Sequence, residues 1–177
     1  MKITEFGNSL LRGVSPVMEH SEIISAATKQ LIADMRSMMK AKKLGVGLAA
    51  QQVGANKRLS IITIQPTKAR PDVETFDLVI INPTITRTFG YRKQMWEGCI
   101  SSGPGKAGLF AKVPRYKKIE LEYTDPTGDT HTEIYTGLAA HVIQHEVDHM
   151  NGILFVDRVK DTSTYMTHKE YVKLVSK

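Results

Sequence analysis

Two histidines one helical turn apart are the residues of this chain whose spacing most directly indicates chemistry. They lie in the run Gln144-His145-Glu146-Val147-Asp148-His149. Residues four apart on a helix share a face, so His145 and His149 can converge on one metal ion. Glu146 lies beside the first of them and can serve as general base toward a water on that ion. The flanking residues are nearly all apolar, which predicts that these polar groups are buried for a functional reason. The run therefore predicts a metal-dependent hydrolase.

A further histidine, His141, lies one turn before His145 on the same stripe of the helix. An ion held between His145 and His149 would leave it about 5.4 Å beyond the nearer ligand. We therefore expect His141 at the edge of the pocket or in the core, and not as a third ligand.

The third ligand must come from another segment, and the only cysteine lies in Trp96-Glu97-Gly98-Cys99-Ile100-Ser101. A thiolate binds borderline-soft divalent metals well, and two histidines with one cysteine leave a fourth position for water. A lone buried cysteine is more often simply a small hydrophobic residue, and spacing alone leaves both interpretations open. A covalent nucleophile ranks below them, because it leaves Glu146 and one histidine without a role. A single cysteine forms no internal disulfide, which fits a reducing cytoplasm.

The segment Gly45-Val46-Gly47-Leu48-Ala49-Ala50-Gln51-Gln52 is rich in small residues. It lacks the Gly-Lys-Ser/Thr ending of a phosphate-binding loop. Its glycines suggest a backbone that a ligand or another strand approaches closely, and the Gln52 amide can donate to a developing oxyanion. A simple turn would explain the composition as well.

The elements that must position these residues follow from hydrophobic periodicity and from turn signals. A helix is predicted over residues 21–43, with Ser21 as its N-cap and with an apolar stripe of Ile24, Ala27, Leu31, Met35 and Met38. Strands are predicted over residues 58–65, 76–82, 85–89, 117–123 and 130–135. A second helix is predicted from Gly137 to Met150, where Asn151-Gly152 stops it, and a short final helix over residues 164–176.

This order of elements favours an α+β fold over a doubly wound one. We expect antiparallel or mixed β-sheets around a central metal-binding helix, with an N-terminal helix and a short C-terminal helix. No linker or repeat divides the chain, so residues 1–177 are expected to form a single catalytic domain.

Composition excludes several classes of function. The hydrophobic and charged fractions, 41% and 24%, are ordinary for a globular protein, and no apolar run approaches the roughly 18 residues of a membrane span. The N-terminus shows no secretory signal, which again predicts a cytoplasmic location and no membrane. A net charge of +6 allows weak attraction to RNA or ribosomes. Because the basic residues are scattered and show no interleaving with aromatic residues, we expect no specific nucleic-acid binding.

The three chemical segments together resemble peptide deformylases, which remove the N-formyl group from new bacterial-type polypeptides. The signatures Gly-x-Gly-x-Ala-Ala-x-Gln, Glu-Gly-Cys-x-Ser and Gln-His-Glu-x-Asp-His all occur here in family order. The resemblance continues through Ile81-Asn82-Pro83 before the cysteine motif and Val113-Pro114-Arg115 after it. It therefore covers nearly the whole chain.

The resemblance implies a role for each matching residue. It implies one divalent metal ion, usually Fe(II) and replaceable by zinc, nickel or cobalt, held by Cys99, His145 and His149. Glu146 resembles the general base that returns its proton to the departing amine. Gln52 and the backbone N–H of Ile100 resemble the oxyanion hole.

The resemblance also implies how an N-formylmethionyl peptide binds. Backbone groups of Val46, Gly47 and Gly98 would pair with the substrate as an added strand. The pocket for the methionine side chain would be lined by Val46, Met95, Leu138, His141 and Val142. Glu97 and Arg115 are expected to fix the geometry of the ligands.

Two departures from the family pattern concern substrate binding. The stretch after the cysteine motif, residues 102–112, is longer than in many relatives, and Phe110 stands where an arginine that helps to hold the peptide backbone is expected. His141 replaces a usually apolar or longer side chain. We expect substrate affinity, preferred peptide length and pocket selectivity to depend on these positions.

Two other functions are compatible with parts of this pattern. A zinc protease would normally take its third ligand from another His or Glu, and the Cys99 motif argues against it. A catalytically reduced metalloprotein of the same fold could capture formyl peptides or dock transiently on ribosomes. The presence of both Glu146 and Gln52 favours the enzyme, which would release formate from formylmethionine.

Overall fold

The computed structural model describes residues 1–42, 45–67, 71–104 and 107–175. Its helices are α1 (His20–Ile23), α2 (Ala26–Lys42), α3 (Gly137–Met150), α4 (Phe155–Arg158) and α5 (His168–Val175). Its strands are β1 (Gly47–Ala49), β2 (Leu59–Ile64), β3 (Phe76–Gly98), β4 (Leu109–Thr124), β5 (Thr130–Thr136) and β6 (Met166–Thr167). The predicted α+β class is confirmed.

Within the described ranges the strands form one antiparallel sheet. Its order is β1-β2-β3-β4-β5, and β6 pairs with the beginning of β4. Strand β3 is long enough to pair with β2 through residues 76–81 and with β4 through residues 81–98. The sheet therefore carries the segment before Cys99 from the core out to the end of the β3–β4 hairpin.

The strands predicted over residues 76–82 and 85–89 are parts of one strand, so the predicted break between them is wrong. The pairing register with β4 shifts between Ile81 and Thr84, so Pro83 lies at an irregularity where its missing N–H interrupts no regular ladder. Asn82 has a positive φ of 52° at the same place. Its side-chain amide donates to the Met18 carbonyl at 2.8 Å and accepts from the Met18 N–H at 2.9 Å, which stabilises this conformation.

The N-terminal helix predicted over residues 21–43 is broken near its start. Ser21 lies inside the short helix α1, and the N-cap of α2 is Ser25, whose Oγ accepts from the Thr28 N–H at 3.2 Å. Ser25 is the N-cap instead of Ser21 because its hydroxyl accepts from an N–H in the first turn of the longer helix.

The apolar stripe of this helix starts later than predicted. Met35 and Met38 are buried and Leu31 is half-buried, whereas Ile24 and Ala27 are exposed. The break between α1 and α2 shifts the face that meets the sheet, so Thr28 and Ile32 take up buried positions instead. Lys43, the predicted last residue, lies outside the described residues.

The sheet separates two hydrophobic clusters. Alternate residues of β2 point to opposite faces, so Leu59 and Ile61 pack with the α2 methionines while Ile62 and Ile64 pack with α3. Each buried side chain of this size contributes about 1.5–3 kcal/mol. Helix α3 packs on one face of the sheet, with His145 and His149 close to Cys99 at the end of β3.

Helix α3 has the predicted bounds because both ends are encoded locally. Gly137 takes a positive φ of 59°, which lets the chain turn directly from β5 into the helix. After Met150 the Gly152 N–H donates to the His149 carbonyl at 3.0 Å, with Gly152 at φ 72°. These glycines fix where the helix begins and ends, and the packing of Ala140, Ile143 and Val147 in the core fixes which face carries the histidines.

The C-terminal region differs from the helix predicted over residues 164–176. Helix α5 begins at His168, and the two residues before it form β6, which the sequence pattern did not predict. Ser176 lies outside the described residues, as do Gly105 and Lys106 of the stretch after the cysteine motif. Within the part of the chain that the structure describes, no helix is long and apolar enough to cross a membrane.

Candidate active site

The end of β3 and helix α3 bring the three predicted metal ligands together. One ligand atom from each of Cys99, His145 and His149 lies within 4.8 Å of the others, and Cys99 Sγ is 3.3 Å from His149 Nε2. A tetrahedral ion about 2.3 Å from sulfur and about 2.0–2.1 Å from nitrogen separates these two atoms by about 3.5 Å. The donor set and spacing fit a borderline-soft divalent ion.

Gln52 holds the cysteine from the side of the short 3₁₀ turn that follows β1. Its Nε2 donates to Cys99 Sγ at 3.3 Å and to Ser101 Oγ at 3.2 Å, while its Oε1 accepts from the Ala49 N–H at 2.8 Å. The amide is therefore oriented with its donor end toward the proposed metal. Ile100 begins the next 3₁₀ turn, where the first N–H groups have no partner within the turn, so its N–H is available beside Cys99.

A buried carboxylate, Glu97, fixes the orientation of His145. Its Oε2 lies 2.9 Å from His145 Nδ1, which leaves His145 Nε2 for a metal. Its Oε1 lies 2.8 Å from His141 Nε2, and the Arg115 guanidinium donates to both oxygens at 2.6 and 3.1 Å. Burial acts to raise the pKa of Glu97, but hydrogen bonds from His141, His145 and Arg115 hold it well below its usual range.

The charged cluster continues to residues that were not predicted. The Arg115 Nη1 donates to Asp148 at 2.5 Å, and Arg158 donates to both Asp148 oxygens at 3.1 and 2.7 Å. Burial acts to lower the pKa of Arg115, but Glu97 and Asp148 raise it overall, so the guanidinium stays charged. A signal for Asp148 was available, since a carboxylate on the nearly apolar helix needs a buried cation as its partner.

The two histidine ligands differ in electrostatic surroundings. Burial lowers the pKa of His149 well below its ordinary value, which gives the neutral imidazole that a metal requires. For His145 burial acts in the same direction, but Cys99 and Glu97 outweigh it and raise the pKa. A positive charge, whether a proton or a metal ion, is therefore favoured beside His145.

Glu146 is buried against the backbone of β1. Its Oε2 has no hydrogen-bond partner in the described ranges, and burial raises its pKa from 4.5 to about 7. A Cβ on Gly47 would overlap Glu146 Oε1 and would lie 2.8 Å from Glu146 Cδ and 2.9 Å from Val142 Cγ1. The close approach suggested by the glycines of this segment is thus an approach to the predicted general base.

The sheet already engages one of the backbone groups that are predicted to contact substrate. The Val46 carbonyl accepts from the Thr63 N–H at 3.0 Å, so it is engaged with β2. Because N–H and C=O of alternate residues face opposite edges of an antiparallel strand, the outward groups of β1 belong to Gly47. Gly98 lies at the last paired position of β3, opposite Phe110.

The predicted pocket residues divide into two groups. Val46, Leu138 and Val142 share one apolar cluster beside Glu146, and Met95 is half-buried on β3. His141 is buried and its Nε2 faces Glu97, so it supports the charged cluster and does not present that nitrogen to the pocket. Its ring is therefore buried, with its orientation set by Glu97.

Gln144, the residue before the first ligand, has a structural position. Its Nε2 donates to the Tyr116 carbonyl at 2.8 Å and to the Ala140 carbonyl at 2.9 Å, and its Oε1 accepts from the Tyr116 N–H at 3.1 Å. It thus joins α3 to β4 through the backbone of the strand.

The α+β scaffold carries two histidines and a cysteine beside a buried carboxylate and an amide donor. This combination of groups defines a metal-dependent hydrolase. The family model described as polypeptide deformylase matches residues 1–165. The chain belongs to the peptide deformylase family.

Individual relatives support the same assignment. Peptide deformylase 2 of Nostoc sp. is 38% identical over 178 residues, which cover 100% of this chain and 96% of the relative. Peptide deformylase of Leptospira biflexa is 39% identical over 168 residues, covering 93% and 90%.

Solved structures agree as well. A class I type b peptide deformylase from Acinetobacter baumannii with bound Met-Ala-Ser superposes with a TM-score of 0.82 at 30% identity, covering 90% of this chain and 98% of that one. Peptide deformylase from Plasmodium falciparum superposes with a TM-score of 0.76 at 27% identity, covering 98% and 90%.

The predicted enzyme class and reaction are therefore confirmed: the chain is a metalloenzyme that removes the N-formyl group from nascent peptides. The alternative of a catalytically reduced binding protein is not supported.

Proposed function

We propose that Cys99, His145 and His149 hold the catalytic metal and that Glu146 is the general base. The observation that carries this proposal is the convergence of the three ligand atoms within 4.8 Å of one another, two of them on the helix that also carries Glu146, whose Oε2 has no hydrogen-bond partner among the described residues. A bound divalent ion would lower the pKa of water toward neutrality and polarise the formyl oxygen.

Glu146 moves the proton in the proposed reaction. Its carboxylate takes a proton from the water that adds to the formyl carbon, and it gives that proton to the amine nitrogen as the carbon–nitrogen bond breaks. Formate and a free amino terminus leave. A pKa that burial raises to about 7 suits a group that must first accept and then donate a proton.

Gln52 and the Ile100 N–H stabilise the negative charge that develops on the formyl oxygen. The orientation of the Gln52 amide supports this role, because the bond from Ala49 to its oxygen directs its nitrogen into the site. Donors that are fixed before the reaction stabilise an oxyanion without reorganisation.

The peptide binds as an extended strand beside Gly47 and Gly98, whose backbone groups pair with it. Its methionine side chain enters the pocket beside Val46, Met95, Leu138, His141 and Val142. The Met-Ala-Ser bound by the Acinetobacter baumannii protein supports a chain that begins with methionine as the ligand here.

Further proposals concern the setting of the reaction. We assign Fe(II) as the native ion, with zinc, nickel or cobalt as replacements, because a mixed thiolate and imidazole site suits each of them. The enzyme acts as one catalytic domain over residues 1–177 in the cytoplasm, which the single cysteine supports. A net charge of +6 supports transient association with ribosomes, without specific binding of nucleic acid.

Anaerobic purification, quantification of bound metal and measurement of formate release from formyl-Met-Ala and longer formyl peptides test the proposal. Glu146→Ala should keep the metal and lose turnover by about 10²–10⁴-fold. Glu122→Ala, an exposed glutamate on β4, is the matched control and should behave as the parent. Stoichiometric metal without turnover of any peptide would refute the proposed site.

A further inference from the structure

The Phe110 ring lies close to the backbone of Gly98, the residue before the proposed ligand Cys99. The two are directly opposite in the pairing of β3 with β4. A Cβ on Gly98 would lie 2.5–2.7 Å from three atoms of the Phe110 ring. The ring therefore fills the space that a side chain at residue 98 would need, and it packs against the backbone of β3.

The Phe110 ring also stacks on the C-terminal helix. Tyr171 of α5 stacks on it with centroids 4.2 Å apart and planes at 11°, and His168 lies 5.4 Å away at 21°. Trp96 of β3 lies 5.7 Å from Tyr171. We call Trp96, Phe110, His168 and Tyr171 the aromatic clamp. Offset-stacked rings hold one another more firmly than their buried area alone would.

Backbone contacts tie the C-terminal segment to the same place. Strand β6 pairs Met166 with Phe110 and Thr167 with Leu109, and the His168 N–H donates to the Gly108 carbonyl at 2.7 Å. The family match ends at residue 165, so β6 and α5 lie beyond it. This segment therefore contributes contacts that the family signatures do not describe.

The held end of β4 in turn holds Cys99. Ser102 Oγ accepts from the Leu109 N–H at 2.9 Å and donates to the Cys99 carbonyl at 2.6 Å. Cys99 is thus fixed on one side through Gly98 and Phe110, and on the other through Ser102 and Leu109. Both routes lead to residues that β6 and α5 contact.

We propose that Tyr171 and Phe110 are positioning residues: through the aromatic clamp, the C-terminal segment sets the positions of Cys99 and of the Ile100 N–H. This inference rests on the proposed roles of Cys99 as ligand and Ile100 as oxyanion donor. Because side chains alternate along a strand, the clamp lies on the face of β3 that carries Trp96 and Gly98, opposite to Glu97, so it supports the site from the side away from the carboxylate that orients His145.

The test compares full-length Tyr171→Ala, Tyr171→Phe and Leu174→Ala, the last being a 49% exposed residue of the same helix. The measurements are kcat and KM for formyl-Met-Ala, the rate of metal loss to a chelator, and Tm. Tyr171→Ala should lower kcat about tenfold with little change in KM, because small displacements of catalytic groups cost large factors in rate. It should also speed metal loss about 10–100-fold. Tyr171→Phe keeps the stack and should restore both values, and Leu174→Ala should match the parent.

A purely structural role would lower Tm and leave kcat and metal loss of the folded protein unchanged, which would overturn the inference. If Tyr171→Ala does not fold, Phe110→Leu removes the stack while keeping an apolar side chain and should show the same losses. If the parent itself released no formate, the proposed function would fail, whereas the rate of metal loss would still report on the clamp.

Discussion

One added methyl group at Gly47 tests how the general base is positioned. The new Cβ would overlap Glu146 Oε1 and would lie 2.8 Å from its Cδ, whereas ordinary contacts begin at 3.4 Å. The carboxyl carbon must therefore withdraw by about 0.6 Å, and the nearer oxygen by more. Val142 Cγ1, at 2.9 Å, blocks the neighbouring space.

A displacement approaching 1 Å at a catalytic group lowers the rate by about 10²-fold, or about 2.7 kcal/mol in activation free energy. We expect Gly47→Ala to lower kcat by about this factor. Because the methyl group also overpacks a filled region, the free energy of unfolding should fall by about 1–3 kcal/mol. The metal ligands are not displaced directly, so bound metal should stay stoichiometric.

Formate release, metal content and urea unfolding measure these three effects. Gly45→Ala is the matched control, because a Cβ there meets only the Gly47 backbone, at 3.9–4.0 Å. It should retain the parental kcat. Parental kcat in metal-loaded Gly47→Ala would refute the reasoning, since it would mean that β1 moves away and that the position of Glu146 is not set by this contact.

Three further results are expected. Glu97→Gln should weaken metal binding about 10–100-fold, because His145 loses its charged partner. It should also lower the free energy of unfolding by about 3 kcal/mol, because the buried Arg115 loses its carboxylate. Competition titration and urea unfolding measure the two effects, and unchanged metal affinity would contradict the role of Glu97. Because a protonated Glu146 cannot accept a proton, kcat/KM should fall as pH falls through the pKa of Glu146. A bound cation favours the carboxylate, so this acidic limb of the pH profile should lie between pH 4.5 and about 7. A flat profile in that range would speak against Glu146 as the base. Saturation with metal at about 100 times Kd should stabilise the fold by about 2.7 kcal/mol and raise Tm by about 5–11 °C over the chelated protein, a difference that Cys99→Ser should largely remove.

Part of the site could be predicted because it lies within one helix. The spacing of His145 and His149 fixes their relation wherever α3 packs, and Glu146 follows from the same geometry. Cys99 could not be placed in this way, because its distance from α3 depends on how the β3–β4 hairpin meets the helix. Only the family signature around it supplied the third ligand.

The charged cluster behind the ligands was predicted only in part. Arg115 and Glu97 were expected to act together, but their partners Asp148 and Arg158 come from α3 and α4. No local pattern encodes such pairing, since it depends on which side chains the fold buries together. The same cluster determined the direction of His141, which the helical stripe alone left undecided.

Element ends were predictable where the signal is local. Gly137 and Asn151-Gly152 gave both ends of α3, whereas β6 exists only through its pairing with β4 and has no pattern of its own. The break predicted between residues 82 and 85 is absent, because an irregularity in the pairing of β3 with β4 accommodates Pro83. The choice of Ser25 over Ser21 as N-cap likewise depends on how α2 packs against the sheet.

The position of Gln144 has a consequence for self-association. The backbone of β4 at Tyr116 lies between the segments that pair with β6 and with β5, and an exposed strand edge there could recruit another extended chain. The Gln144 amide supplies the donor and acceptor that a neighbouring strand would have offered. The Gln144 amide thereby closes the edge of β4 at Tyr116 to an extended segment of a second chain, which removes one route to aggregation.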